Sequence, residues 1–133
     1  MSDLSQSYGR CLLDGQFFDK FYDRFTAASP EVAQRFRNTD MKRQKTMMRL
    51  SLSMLVMFVE GKPIARPSLE AIQKTHGAGR YEIPARLYDV WLECLIQTLR
   101  ECDPRFDDAL EQQWQQAMQK GIDFIAACGR GEG

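Results

Sequence analysis

Apolar residues recur along the chain at steps of three and four, the spacing of one helix face, with breaks at proline, glycine and polar clusters. The breaks are Ser29-Pro30, Gly61-Lys62-Pro63, Pro67, Gly77-Ala78-Gly79, Pro84, Asp103-Pro104 and the residues from Gly129 onward. An early segment gathers Phe17, Phe18, Phe21, Tyr22 and Phe25 on one side. A short helix is expected after Ser29-Pro30, with Ser29 as cap and Pro30 at the first helical position. From Asp40 a long stripe runs through Met41, Gln44, Met48, Leu52, Leu55, Val56 and Val59. A shorter segment opened by Pro67-Ser68 sets Leu69, Ile72 and His76 on one face. After Pro84 the stripe is Tyr88, Trp91, Leu92, Leu95, Ile96 and Leu99. The last segment carries Leu110, Trp114, Ala117, Met118, Ile122 and Ile125. No alternating β-branched run appears, so the pattern predicts an all-α protein with a short N-terminal helix and five or six others.

Composition narrows the function classes. At 133 residues the chain fits one domain, 1–133, with one substantial core. Eighteen basic and eighteen acidic residues cancel and are scattered along the chain. That distribution argues against a nucleic-acid or anionic-membrane footprint. No apolar run approaches the roughly 20 residues of a membrane span, and the polar start, Met1 to Arg10, lacks a secretory core, so a cytoplasmic protein is expected. The four cysteines, Cys11, Cys94, Cys102 and Cys128, match no zinc spacing and are expected to be free and buried.

Three polar side chains interrupt stripes that should be dry. Burying an unpaired amide or imidazole costs about 1–3 kcal/mol, so each needs a partner. His76, the sole histidine, ends a short helix just before Gly77-Ala78-Gly79. It is either a helix-end residue whose charge suits the C-terminus or a metal ligand. One histidine cannot build a zinc site, but it can hold a haem, whose porphyrin supplies the other four nitrogens. Gln44, one turn before Met48, is either an edge residue reaching solvent or a polar group aimed inward. Tyr22, set among phenylalanines, is either plain core or a hydroxyl donor.

These residues carry a resemblance. Phe21-Tyr22-Asp23-Arg24, Ser29-Pro30-Glu31 and Phe36 look like the second and third helices of bacterial single-domain globins and of the globin domain of flavohaemoglobins. Asn38-Thr39-Asp40-Met41 with Gln44 and Met48 resembles the start of the long distal helix in those proteins and in globin-coupled sensors. Leu69 to His76 resembles the proximal helix, and Ile83-Pro84, Leu87-Tyr88-Asp89 and Trp91 the start of the next. Asp103-Pro104 and Trp114 extend the likeness, which covers residues 8 to 127. No single motif is specific; their order and spacing are.

The resemblance implies a globin fold of about six to seven helices holding haem b, with His76 on the iron. It implies a pocket formed by Tyr22, Phe36, Gln44, Met48, Leu52, Ile72, Ile83 and Tyr88, with Arg80 near a propionate. Tyr22 and Gln44 would donate to O2, NO or CO, and Phe36, Met48 and Leu52 would form dry walls. Met48, Tyr22 or Lys45 are the candidates for a sixth iron ligand. Two departures stand out. The stretch between His76 and Ile83 is slightly longer than in flavohaemoglobins, and Ile122 and Ile125 stand where those proteins set a glutamate against the proximal histidine. Lacking that carboxylate, peroxidase-like activation is disfavoured. The implied function is reversible gas binding for sensing, scavenging or NO detoxification, any dioxygenase turnover drawing on an external reductase. The alternative is a haem-free globin-fold signalling or ligand-binding module. The broad apolar faces and tryptophans of the last two helices point to a homodimer.

Overall fold

The computed structural model describes residues 3–61 and 85–129, the side chains of Ala85 and of the residues beyond Asp123 excepted. Among them are six helices and no strand: α1 (Asp3–Leu13), α2 (Phe17–Ala28), α3 (Pro30–Arg35), α4 (Met41–Val59), α5 (Ala85–Cys102) and α6 (Asp108–Gly129). No helix among the described residues is long and apolar enough to cross a membrane.

The helix boundaries follow local chemistry. Pro30 opens α3 with Ser29 extended at the cap, but the Ser29 hydroxyl makes no capping hydrogen bond, so proline geometry alone starts this helix. Asp40 caps α4 through its side chain, which accepts from Arg43 N at 3.3 Å. Gly61, at φ +80°, stops α4 in a conformation that a Cβ would oppose.

The buried faces are those the periodicity anticipates. Phe17, Phe21, Tyr22 and Phe25 of α2 are buried, as are Met48, Leu52, Leu55 and Val56 of α4. Helix α2 packs against α3, α4 and α5, whereas α6 lies across α4, α5 and α1. On α5 the inward face is Leu87, Cys94, Leu95, Ile96 and Leu99, while Tyr88, Trp91 and Leu92 are half-buried. The stripe after Pro84 is therefore rotated slightly from the sequence expectation, which omitted Leu87.

Trp114 of α6 is wholly buried and donates through Nε1 to Ser7 Oγ at 3.1 Å. Its indole is spent inside the fold, so it is not part of an outer apolar face for a second copy. Ser7 in turn donates to Asp103 Oδ2 at 2.6 Å, and Arg10 clamps Asp103 with contacts of 2.6 and 3.0 Å. This network ties α1 to the α5–α6 corner. Cys11, Cys94 and Cys102 are free and buried as expected. Burial, with the Asp103 charge next in weight, pushes the Cys11 thiol up to about 12; burial and the Asp14 hydrogen bond do the same for Cys102. Both are inert as nucleophiles.

Candidate functional site

Helix α2 presents Tyr22 to the interior because it lies one residue past Phe21 on the aromatic face; the residue is only 4% exposed. Its ring stands edge-on to Phe21 at 5.0 Å and to Phe36 at 5.6 Å between centroids. Phe36, at the C-cap of α3, also meets Phe25 at 6.1 Å. The short proline-started helix therefore delivers an aromatic wall beside the phenol.

Helix α4 approaches from the other side. The Asp40 cap fixes its register, and Gln44 falls in its first turns, half-buried. Gln44 Nε2 donates to Tyr22 Oη at 3.2 Å. Met48 and Leu52, one and two turns further on, are buried on the same side. The contact between α2 and α4 thus contains a polar pair bordered by Phe36, Met48 and Leu52.

The phenol's electrostatics favour its neutral form. Burial pushes the Tyr22 hydroxyl above its ordinary value, and the Gln44 hydrogen bond offsets this only in part. Tyr22 consequently keeps its proton at neutral pH. Because Oη accepts from Gln44 Nε2, the phenol's own proton points away from that nitrogen. The phenol and the half-buried Gln44 amide thus set two polar groups side by side, next to the Phe36 ring.

A second link crosses the same helix pair. Lys45 reaches Asp19 of α2 at 2.7 Å. Lys45, a candidate sixth iron ligand from the resemblance, has its ammonium engaged by this carboxylate. The spacing of Asp19 and Tyr22 against Lys45 and Gln44 was the available signal, since each pair shares a helix face or neighbouring position.

Tyr88, near the start of α5, is half-buried, and burial raises its pKa. Trp91, also on α5, packs edge-on against Phe21 at 6.0 Å. The remaining expected site residues, Ile72, His76, Arg80 and Ile83, lie outside the described residues. Among the described residues no group of three or more histidine, cysteine or carboxylate side chains is arranged to hold a metal ion.

No protein-family model and no curated protein gives a significant match to the chain. A crystal structure from Pseudomonas aeruginosa does match, of a protein described as structurally highly homologous to a human haemoglobin. The two chains are 35% identical, the match covers 94% of each, and the TM-score is 0.86. The chain belongs to the family of this bacterial globin-like protein.

Its architecture is accordingly the globin fold. In this globin-like chain the Tyr22–Gln44 pair sits where the second and the long fourth helix meet, with the third helix closing one side.

Proposed function

We propose that the chain is a haem-binding globin that reversibly binds O2 or another diatomic gas, with Tyr22 and Gln44 as the polar donors at the gas site and His76 as the residue that would hold the iron. The observation that carries this reading is the Gln44–Tyr22 hydrogen bond at the contact of α2 and α4, set beside the Phe36 ring. A polar pair at this largely apolar helix contact is a place where hydrogen bonds can be offered to a guest. A small polar guest would accept from it. The kinship with a protein described as structurally highly homologous to a human haemoglobin supports the same reading.

The residues fit a haem by their chemistry. His76 would supply the one imidazole required, and Arg80 the cation for a propionate. Bound haem would supply an iron centre able to take a diatomic ligand. The chain's own residues then decide how that ligand is held. Gln44 donates to Tyr22 Oη and so orients the phenol, turning its proton away from the amide. The Tyr22 hydroxyl and a Gln44 N–H would donate to the negative charge a gas ligand acquires. Phe36, Met48 and Leu52 would keep water from the donors, and Ile72, Ile83 and Tyr88 would add apolar contacts. Two donors make release slow, which suits scavenging, sensing or NO removal better than delivery. Turnover as an NO dioxygenase would take electrons from an external reductase.

The test is a visible absorption spectrum of the protein purified with haem available, beside His76→Ala. The expected result is an intense Soret band that shifts on reduction and with CO, and that changes in the variant. Tyr22→Phe should then speed O2 dissociation about tenfold or more, the equivalent of roughly one charge-assisted hydrogen bond. A folded wild type that takes no stoichiometric haem overturns the reading in favour of the haem-free module. An unchanged off-rate in Tyr22→Phe removes that residue from the mechanism.

A further inference from the structure

The chain as a whole is electrically neutral, but residues 33–59 hold six cations, Arg35, Arg37, Lys42, Arg43, Lys45 and Arg49, against one carboxylate, Asp40. The fold settles two of the six: Arg35 meets Glu31 and Lys45 meets Asp19. Arg37, Lys42, Arg43 and Arg49 are exposed and make no ion pair with a described residue. By contrast Arg10, Lys20, Arg24, Arg86 and Arg100 each hold a carboxylate.

Two of these cations are also badly placed for the fold itself. Lys42 and Arg43 lie in the first turn of α4, which contains no acidic residue. Cations there face the positive end of the helix dipole. Among the described residues they have no ion-pair partner, and at the helix start their charge is electrostatically unfavourable.

Between the cations stand the most exposed large apolar residues of α4, Met47 at 46% and Leu50 at 61%. Arg43, Thr46, Met47 and Leu50 follow at i, i+3, i+4 and i+7, so they share one face, opposite the buried Met48, Leu52 and Leu55. An apolar centre with a charged rim is the anatomy of a protein interface.

We propose that the outer face of α4, with Met47 and Leu50 at its centre and Arg37, Lys42, Arg43 and Arg49 around them, docks an acidic partner protein. The complement is an apolar patch rimmed by carboxylates. Charge complementarity selects this occupant over others. A second copy paired about a two-fold axis through this face would bring two sets of four unpaired cations together. A phosphate backbone would leave Met47 and Leu50 without an apolar counterpart. A bilayer would gain too little from two side chains to hold the chain. The inference is independent of haem, because it uses only the outward side of α4.

The test uses a labelled synthetic helical peptide with a leucine seam flanked by glutamates. Its controls are the same peptide with glutamines, a DNA duplex and phosphatidylserine vesicles. The glutamate peptide is expected to bind about tenfold or more tightly than the glutamine peptide, and to weaken by a similar factor when salt is raised well above physiological strength. Arg43→Glu with Arg49→Glu should abolish most of this binding, and Leu50→Ser should weaken it, whereas Arg105→Glu at a remote exposed site should not. Arg43→Glu alone should leave the thermal midpoint unchanged or raised, because it removes a cation from the helix start. That separates lost docking from lost folding. Equal binding of both peptides, no peptide binding, tighter binding to duplex or vesicles, or a dimer that Leu50→Ser dissociates would each overturn the proposal.

Discussion

Ser7 is a small residue with large obligations. Its hydroxyl accepts from the Trp114 indole and donates to Asp103, all three being buried. Ser7→Ala would leave a buried indole N–H and a carboxylate oxygen each short of a partner, and should cost about 1–3 kcal/mol in urea unfolding at neutral pH. Asp103 adds a pH dependence. Burial alone would push its carboxyl up, but donation from Arg10, Ser7 and the Arg105 backbone holds it below the ordinary value. A carboxyl with a depressed folded pKa contributes stability that is complete above its unfolded value, about 3.9, and is lost as pH falls through the folded value. Stability should therefore drop below about pH 4, and Asp103→Asn should flatten part of that slope. An identical acid limb in the variant would refute the assignment. At this scale the sequence marked Tyr22 and Gln44 as polar interruptions, because each breaks an apolar period. It gave no sign of Ser7, since one serine in a polar N-terminal stretch looks like surface.

Helix crossings raise a different question, that of how closely two backbones approach. Gly121 lies on the buried side of α6, and a Cβ built there would fall inside contact distance of Leu55 Cδ2 on α4. A glycine within a helix sacrifices about 1 kcal/mol relative to alanine. Here the close crossing of α4 and α6 makes the absent side chain useful. Gly121→Ala gains propensity but overpacks the Leu55 site, at about 1–3 kcal/mol, and should be net destabilising. Combined with Leu55→Ala, the two losses should fall well short of additive, which a double-mutant cycle in urea would measure. A stabilised Gly121→Ala would mean that Leu55 yields freely. The element pattern was well marked in the sequence: the long segments α2, α4, α5 and α6 each carry a periodic stripe, and Asp40, Pro30 and Gly61 stand at their borders. The rotation of α5 that buries Leu87 was not marked, because Leu87 and Tyr88 are both compatible with an inward face until the neighbouring α2 is in place.

For the molecule as a whole, the proposed cofactor makes a thermodynamic prediction. A ligand that binds only the folded state stabilises it by about 2.7 kcal/mol when free ligand stands at a hundred times Kd. Haem should raise the thermal midpoint in a concentration-dependent way, and His76→Ala should remove most of that increment while leaving the haem-free midpoint nearly unchanged. Equal stabilisation of both proteins would show that haem binds without His76. Trp114 is a suitable reporter, being wholly buried beside Tyr8 in the core. The basic outer face of α4 also belongs to this scale. It was hidden in a balanced composition and emerged only when the fold paired off other cations and left Arg37, Lys42, Arg43 and Arg49 exposed.

The sequence by itself determined what is local and periodic: an all-helical chain, the helix borders, most buried faces, and which polar residues interrupt them. These follow from contacts between residues three and four apart, which the order of side chains specifies directly. Only the tertiary structure decided which distant groups meet. Gln44 finds Tyr22 across 22 positions and Ser7 finds Asp103 across 96, while Lys45 is taken by Asp19. Such pairings depend on the angle and depth at which two helices pack, and those are set by the summed shape of both faces, not by the period of either.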